Sequence, residues 1–300
     1  MPTVTVVMPV FNGTRYLAEA LESVFAQVYR DYEVICVDDG STDESAKCLE
    51  GYGGRVTVIR QANQGQGAAR NVGIDHAAGR YIAFLDQDDR WYSSKLEREV
   101  RALEECPEAV LAYSNSDRMD HEGSLVRVGA TLAERASALA SPLGRLIGEG
   151  LVLPSSMLVR REVLESVGGF DPQLTGFEDF DLCARLRQHG RFVLLEESGL
   201  SYRVHDGGFS RAGKLRVVQS RERFLRRMQV LYAGDRVKER IIRTMLGECY
   251  SDWGMHEMQA GDGRAGRRWF LRSLSESPTK WRTYSRLLRT FLARRPGGGK

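Results

Sequence analysis

Tyr81-Ile-Ala-Phe-Leu-Asp-Gln-Asp-Asp89 is the stretch of sequence that decides the fold. Its apolar half is typical of a buried strand, and its acidic half begins where that strand would end. The same arrangement occurs earlier in the chain, where the apolar run Tyr32–Val37 leads into Asp38-Asp39-Gly40. Two strands that end in carboxylates predict a sheet with an acidic edge.

The first ninety residues alternate between strand patterns and helix patterns. Apolar runs predict strands and helical spacing predicts helices, in the order strand 4–10, helix 16–25, strand 32–37, strand 56–59, helix 65–78 and strand 81–85. Such alternation predicts a parallel sheet with helices on both faces. Ligands of these sheets gather at the carboxyl ends of the strands, which is where both acidic clusters lie.

The pattern becomes less regular after residue 92. A charged amphipathic helix is predicted at 95–105 and another helix at 179–188. We expect an irregular stretch from residue 115 to about residue 153, and two separate strands at 192–195 and 200–204. Beyond His205 the composition changes to long, basic, amphipathic helices.

The bulk composition, 42% hydrophobic and 28% charged, is that of an ordinary globular protein. No run approaches the roughly 18 apolar residues of a membrane span, and the N-terminus lacks the layout of a signal peptide. We therefore expect a cytoplasmic protein. The five cysteines are widely spaced and form no Cys-x-x-Cys pair, which argues against a zinc site or a disulfide framework.

Charge divides unevenly along the chain. Residues 1–213 carry 22 Lys or Arg and 32 Asp or Glu, whereas residues 214–300 carry 21 and 8. The basic helices either lie on the inner face of an anionic membrane, as a peripheral anchor, or fold back on the rest of the protein. Nucleic-acid binding is a third alternative, but no helix-turn-helix, zinc or RNA-binding motif supports it.

The acidic stretch that ends the fourth strand holds three carboxylates, Asp86, Asp88 and Asp89. These repel one another, so their proximity favours a bound cation. Mg²⁺ and Mn²⁺ prefer carboxylate and phosphate oxygens, so a divalent ion that bridges a diphosphate would suit the cluster. The alternative is a solvated acidic turn that only caps the next helix. The second cluster, Asp38-Asp39, favours the cation, because two such clusters would converge on one nucleotide and metal pocket.

Seven motifs together give the chain a family resemblance. They occur in the order Met8-Pro-Val-Phe-Asn12, Val37-Asp-Asp-Gly-Ser-Thr-Asp43, Gly67-Ala-Ala-Arg-Asn-Val-Gly73, Phe84-Leu-Asp-Gln-Asp-Asp89, Val167-Gly-Gly-Phe-Asp-Pro172, Gly176-Phe-Glu-Asp-Phe-Asp-Leu182 and Tyr202-Arg-Val-His205. In this order, over roughly residues 3–210, the chain resembles the family-two inverting glycosyltransferases. The resemblance implies the α/β GT-A fold, a mostly parallel central sheet flanked by helices, here with an α-helical C-terminal extension.

The resemblance implies a nucleotide-sugar pocket built from strand ends and one helix. Its expected residues are Pro9, Val10, Phe11, Asn12, Asp39, Arg70 and Asp86. Asp39 would accept a hydrogen bond from uracil, and the turn at 9–12 would form the pocket wall. Asp86 would hold the ribose. Arg70 would approach the base or the phosphates; its alternative role is a salt bridge on a helix surface.

Metal binding is also implied by the resemblance. Asp88 would hold Mn²⁺ or Mg²⁺, and His205 would complete the metal shell, although a single histidine at a strand end can also be purely structural. Asp89 would only orient its neighbours.

Asp179 is the expected catalytic base, because displacement at an anomeric carbon needs a carboxylate that deprotonates the attacking hydroxyl. The adjacent Glu178 would raise its pKa. Alternatively, both acids simply open the helix that follows, where they favour its dipole. By resemblance the reaction inverts configuration at the anomeric carbon.

The sequence therefore predicts a GT-A catalytic domain at 1–211 and a basic α-helical segment at 212–300. Within the catalytic domain, 1–92 would bind the nucleotide and 93–211 the acceptor. The expected donor is a UDP-sugar, with dTDP- and GDP-sugars as alternatives, and the acceptor is a saccharide, a lipid-linked sugar or a protein.

Two alternative functions stay open. A nucleotidyltransferase that makes nucleotide sugars would carry a Gly-rich basic loop after the first strand, where this chain has Val10-Phe-Asn-Gly13. A silent binding module would not need the base Asp179.

Overall fold

A computed structural model describes residues 1–150, 152–205, 214–279 and 281–292, without the side chains of 214–216, 289, 291 and 292. The described residues form two compact units. The sheet unit contains residues 1–173 and 178–205, and the helical unit contains 174–177 and the residues from 214 onward. The expected domain boundary at 211/212 lies outside the described residues, as does Lys280.

Nine strands of the described residues form one sheet. In chain order they are β1 (Val4–Val10), β2 (Tyr32–Asp38), β3 (Thr57–Arg60), β4 (Tyr81–Phe84), β5 (Arg90–Trp91), β6 (Ala109–Met119), β7 (Leu125–Arg127), β8 (Met157–Arg160) and β9 (Arg191–Arg203). Their order across the sheet is β3-β2-β1-β4-β8-β6-β9-β5, and β7 pairs with β6. The part β3-β2-β1-β4 is parallel, as is the pair β6–β9, whereas β8 runs antiparallel to both of its neighbours.

Helices cover this sheet, and two of them were not expected. The helices of the sheet unit are α1 (Leu17–Phe25), α2 (Ser45–Glu50), α3 (Gln66–Asp75), α4 (Lys95–Glu105), α5 (Ala130–Ala140), α6 (Pro142–Ile147), α7 (Arg161–Ser166) and α8 (Glu178–Leu186). The expectation of an irregular stretch up to residue 153 was wrong, because β7, α5 and α6 lie within it. Most of α5 is only partly buried, so it lacks the apolar stripe that would have predicted a helix.

β1 is the centre of the parallel half of the sheet. All seven of its residues are buried, and it pairs with β2 on one side and β4 on the other. A strand that is covered on both faces needs a nearly continuous apolar sequence. Because β1, β2 and β4 run in the same direction, their carboxyl ends meet at one edge, and the turns that begin at residues 11, 39 and 85 lie together there.

β9 brings the end of the sheet unit to the same edge. The two strands expected at 192–195 and 200–204 are one strand, whose register against β6 shifts near Ser114 and Asn115. Gly199 allows this close approach, since a Cβ atom there would overlap the Ser114 side chain. The far end of β9 pairs with β5, where Trp91 lies opposite Leu200 and Arg90 opposite Ser201. Residues 203–205 therefore follow directly beside the acidic turn.

The described residues of the helical unit form four helices. These are α9 (Lys214–Leu231), α10 (Arg236–Gln259), α11 (Gly263–Glu276) and α12 (Trp281–Leu292). Asp235 and Asp262 cap α10 and α11 by accepting hydrogen bonds from backbone amides. The interior of the helical unit contains Phe224, Tyr250 and Phe270. None of the described helices is long and apolar enough to cross a membrane.

Candidate active site

The acidic turn after β4 is held by Arg203, a residue to which the sequence assigned no role. The Arg203 guanidinium donates to the Asp88 backbone carbonyl over 2.8 Å and to Glu19 over 2.6 Å, while its backbone amide donates to Asp89 over 3.0 Å. The guanidinium also lies 4.3 Å from the centre of the Tyr16 ring. Burial, with Asp88 and Asp86 nearby, raises the pKa of Asp89 well above its usual range. Asp89 thus connects the turn to β9.

Asp88 and His205 lie side by side. Oδ2 of Asp88 is 2.9 Å from Nε2 of His205, and the His205 ring packs against Tyr16 with 5.3 Å between ring centres. Burial and the neighbouring Asp86 raise the pKa of Asp88, while His205 opposes that rise. The two side chains that the resemblance assigned to a metal are therefore in contact, although they are far apart in sequence.

Arg70 is buried in α3, with 1% of its surface exposed. Its Nη2 contacts Oδ1 of Asp86 at 2.5 Å, and its guanidinium lies 5.1 Å from the centre of the Phe170 ring. The alternative of a salt bridge on the helix surface is wrong, because the Arg70 side chain is buried, although its partner Asp86 is partly exposed. The buried Nε and Nη1 atoms have no hydrogen-bond partner within the described part of the chain. Buried donors without partners are costly, so these two atoms are suited to a ligand that accepts hydrogen bonds.

Glu178 and Asp179 begin α8 close to Arg70. Oε1 of Glu178 accepts a hydrogen bond from the Gln66 side chain at the start of α3, and Glu178 itself is buried. Asp179 is half-buried, and its Oδ1 accepts from the backbone amide of Phe180 over 2.9 Å. Burial and then the charge of Glu178 raise the pKa of Asp179 to about 7, against the lowering effects of the Phe180 amide and Arg70. This carboxyl titrates close to neutral pH.

The carboxylate of Asp39 binds the neighbouring loop between β3 and α3. Its carboxylate accepts from the Gln61 side chain over 2.7 Å and from the backbone amides of Gln64 and Gly65 over 2.8 Å each. It therefore orders the loop between β3 and α3. Its neighbour Asp38 accepts from the Ser41 amide over 2.9 Å. The expected hydrogen bond between Asp39 and uracil stays a prediction.

The turn at 9–12 is tied to both neighbouring loops. Pro9 and Val10 are buried at the end of β1, whereas Phe11 and Asn12 are exposed. Asn12 has a φ angle of 48°, a left-handed conformation that Asn tolerates better than most residues. Its side-chain oxygen accepts from the Thr42 amide over 2.8 Å.

Gln87 makes the connection on the other side of this turn. Its side-chain amide pairs with the Phe11 backbone through two hydrogen bonds of 2.9 Å each, one donated and one accepted. Gly13 leaves room for it, since a Cβ atom there would overlap the Gln87 side chain. Neither Gln87 nor Arg203 was singled out from the sequence, although both lie within motifs of the family resemblance.

The fold brings the predicted residues to one edge in two adjoining groups, one around Asp88 and one around Arg70.

The described residues contain no group of three or more His, Cys, Asp or Glu side chains arranged to hold a metal ion. The candidate ligands are the pair Asp88 and His205. Their donor atoms, 2.9 Å apart, match neighbouring corners of an octahedron, which are about 3 Å apart when metal–ligand bonds are about 2.1 Å. Mg²⁺ sites with substrate phosphates commonly use only one or two protein ligands. The pair therefore fits such an ion.

The chain is similar in sequence to several known proteins. An uncharacterized glycosyltransferase of Rickettsia prowazekii is 29% identical over 206 residues, which cover 68% of this chain and 64% of the relative. One of Nostoc sp. is 33% identical over 209 residues, covering 67% and 65%. The glycosyltransferase GlyG of Streptococcus pneumoniae serotype 4 is 28% identical over 225 residues, covering 69% and 73%. The chain thus spans slightly less than two thirds of the first two relatives.

Solved structures of another protein have the same fold as this chain. S. aureus TarS residues 1–349, determined in complex with UDP-GlcNAc, aligns with a TM-score of 0.71 and 19% identity over 96% of this chain and 89% of TarS. The UDP complex of the same fragment aligns with a TM-score of 0.68. Finally, the family model described as Glycosyl transferase family 2 matches residues 5–168. The chain belongs to glycosyl transferase family 2 and has the GT-A fold.

Proposed function

We propose that this protein is a metal-dependent inverting glycosyltransferase that moves a sugar from a UDP-sugar to a hydroxyl of a saccharide, lipid-linked or protein acceptor. The observation that carries the proposal is Asp179, whose pKa is raised to about 7 beside the buried Arg70. A general base works best when its pKa lies near the operating pH. If Asp179 only began α8, its burial next to Glu178 would destabilise the folded protein without any benefit.

A UDP-sugar donor is supported by two observations. Arg70 has two buried nitrogen atoms that could donate to an anionic or carbonyl group. Asp39 already accepts three hydrogen bonds, but a carboxylate offers about four lone-pair positions, so it can still accept from the N–H of uracil. The TarS complexes with UDP-GlcNAc and UDP support the same class of donor.

Asp88 and His205 would hold Mn²⁺ or Mg²⁺. The bound ion would stabilise the negative charge of the leaving diphosphate. Arg203 fixes the backbone of the acidic turn, so Asp88 is presented in a defined position before any ligand binds. Asp86 would contact the ribose from its place beside Arg70.

Asp179 would take the proton of the acceptor hydroxyl. The acceptor oxygen then forms the new bond to the anomeric carbon of the sugar. At the same time the bond from that carbon to the diphosphate breaks, and UDP leaves with its electron pair. Because attack and departure occur on opposite faces, an α-linked donor would give a β-linked product.

An Asp179→Asn variant tests the proposal. We expect release of UDP from UDP-sugars in the presence of Mn²⁺ and candidate acceptors to fall by about 10²–10⁴-fold, the usual contribution of a general base. Binding of UDP, measured as an increase in Tm, should persist. The matched control is Glu104→Gln, an exposed carboxylate on α4, which should behave as the unmodified protein.

Three results would contradict the proposal. Near-normal transfer by Asp179→Asn would remove the base assignment. Release of pyrophosphate instead of UDP would identify a nucleotidyltransferase. Stabilisation by UDP and Mn²⁺ without turnover of any UDP-, dTDP- or GDP-sugar would favour a silent binding module.

A further inference from the structure

Among its described side chains, α12 buries two threonines and exposes three large apolar residues. Thr283 and Thr290 are 1% and 4% exposed, whereas Trp281, Tyr284 and Leu288 are 71%, 47% and 63% exposed. The three exposed residues are spaced three and four positions apart, so they lie on one face of the helix. In an ordinary helix of a globular protein this face would point to the interior.

Hydroxyl groups and arginines fix this orientation within the helical unit. The Thr283 hydroxyl lies 3.4 Å from those of Ser251 on α10 and Ser273 on α11, and the Ser273 hydroxyl donates to the Gly247 carbonyl over 2.6 Å. Arg286 donates to the Ser251 hydroxyl over 2.7 Å. The polar side of α12 is thus held by specific hydrogen bonds, and rotation of the helix to bury its apolar side would break them.

The two C-terminal helices, one of which carries the exposed face, are strongly basic. Residues 263–292 contain eight Lys or Arg and one Asp or Glu. Arg264, Arg268 and Arg282 are exposed, as is Leu271, whereas Arg272 packs over the Tyr250 ring at 4.5 Å and lies 3.7 Å from Glu222. An aromatic and aliphatic face combined with arginines is the composition of helices that lie in the interface of an anionic bilayer. Trp and Tyr favour this interface because their rings are amphipathic.

A second copy of the chain is a weaker candidate for this face. In a symmetric dimer the same surface of each copy would meet, which would bring the two sets of positive charge together. An anionic surface neutralises them instead. We propose that the face formed by Trp281, Tyr284 and Leu288 docks on anionic phospholipid bilayers, with the arginines of α11 and α12 contacting lipid phosphates. The inference does not depend on the chemistry of the acidic edge.

Vesicle flotation of the full-length protein tests this inference. We expect the protein to bind phosphatidylcholine vesicles that contain phosphatidylglycerol, and to bind pure phosphatidylcholine vesicles at least about tenfold more weakly. Binding should weaken in high salt, because salt screens the headgroup attraction. A Trp281→Ser/Tyr284→Ser/Leu288→Ser variant should lose at least about tenfold in partition coefficient, since it removes the apolar contact.

The matched control is Val230→Ser/Val237→Ser, which replaces two apolar residues that are 80% and 72% exposed elsewhere in the helical unit. This variant should bind vesicles normally. Stabilisation by UDP and Mn²⁺ in all variants would establish that the nucleotide site is intact. Equal binding to neutral vesicles, or normal binding by the triple variant, would overturn the inference. So would a dimer in solution that the triple variant abolishes, without any binding to vesicles.

Discussion

The two units differ in what they bury. Among the described residues, the buried side chains of the sheet unit include charged ones from every part of its sequence: Asp38, Asp39, Arg70, Asp89, Lys95, Glu99, Asp117, Glu149, Arg160, Glu178, Asp181 and Arg203. The buried polar side chains described in the helical unit are all Ser or Thr. Burying a charge is energetically costly unless the charge is paired. The sheet unit therefore has to offset a desolvation free energy that the helical unit does not have.

Two buried arginines of the sheet unit differ in how completely they are paired. Arg203 has its guanidinium shared among Glu19 and several backbone carbonyls. Arg70, equally buried, contacts Asp86 and keeps two nitrogen atoms without a partner in the described region. A fully paired buried charge holds loops in place, and an incompletely paired one is ready for a ligand.

The largest expected effect concerns Asp88. UDP with Mn²⁺ at about a hundred times its Kd should stabilise the unmodified protein by about 2.7 kcal/mol. In Asp88→Asn the Mn²⁺-dependent part of this gain should disappear, because one of the two candidate ligands loses its charge. Thermal unfolding with UDP, with and without Mn²⁺, measures it.

Asp262→Ala is the control from the other unit. It removes the side chain that caps α11, so it should lower the Tm of the free protein while keeping the full response to UDP and Mn²⁺. If Asp88→Asn kept the Mn²⁺-dependent response, the metal site would have to be elsewhere.

The next effect contrasts two carboxylates of α8, the half-buried Asp179 and the buried Asp181. The pKa of Asp179 is raised to about 7 in the folded state, whereas it is about 4 in the unfolded state. Between these two pH values Asp179 is protonated in the folded state and ionised in the unfolded state. Stability is therefore lost as pH rises through this window. Asp179→Asn should remove that loss and stabilise the protein at pH 8 by about 2 kcal/mol, roughly half of what the full pKa shift corresponds to, because solvent screens a half-buried carboxyl; no gain is expected at pH 4.

Asp181 lies two residues further on and pairs with Arg185 at 2.7 Å. Asp181→Asn should destabilise the protein by about 2 kcal/mol, because the Arg185 guanidinium loses its charged partner, although it keeps its hydrogen bonds to the backbone carbonyls of Val167 and Gly169. Denaturant unfolding at both pH values compares the two variants. Equal effects would mean that buried charge alone, not its pairing, decides stability.

A smaller effect should appear in the pH profile of transfer. The rate should rise with pH through about 7, as Asp179 ionises, and then level off. Glu178 and Cys183 on α8 and Arg70 on α3 are the ionisable groups that interact with it. Glu178→Gln removes the nearest negative charge, so the profile should move to lower pH.

At pH 6 this variant should retain about three to ten times more of its plateau rate than the unmodified protein does. Initial rates of UDP release between pH 5.5 and 8.5 measure the shift. An unchanged midpoint would mean that burial alone sets the pKa of Asp179.

The smallest effect concerns Gln87, which is uncharged. Gln87→Ala removes both hydrogen bonds to Phe11 and should weaken UDP binding about threefold to tenfold, while the rate at saturating donor stays the same. Gln87→Glu keeps the acceptor, loses the donor and adds a further negative charge to the acidic turn, so it should weaken UDP binding more than Gln87→Ala does. Titration with UDP in Mn²⁺ gives the affinities, and unchanged values for both variants would exclude a positioning role.

Sequence patterns predicted the parallel half of the sheet well. The bounds of β1 and α4 agree with the predictions at both ends, because one is a continuous apolar run and the other has a strong apolar stripe. α5 was missed because few of its residues are buried. β9 was predicted as two strands because polar residues and Gly199 interrupt its apolar pattern.

The site was less predictable than the fold. The strand-end position of Asp39 follows from local sequence, but local sequence does not reveal that its carboxylate accepts three hydrogen bonds from the 61–65 loop. The role of Arg203 depends on contacts with residues that are 82 to 184 positions away along the chain, which no local pattern contains. The individual roles of the site residues stay predictions.

The distance between Asp88 and His205 along the chain has a consequence for synthesis. The two residues are 117 positions apart, so at 5–20 residues per second a ribosome needs roughly 6–23 s to add the second after the first. During that time the nascent chain carries the acidic turn without its histidine. The same spacing means that the pair forms only after β8 and β6 have joined β9 to the sheet, so the contact depends on the fold of the residues between its two members.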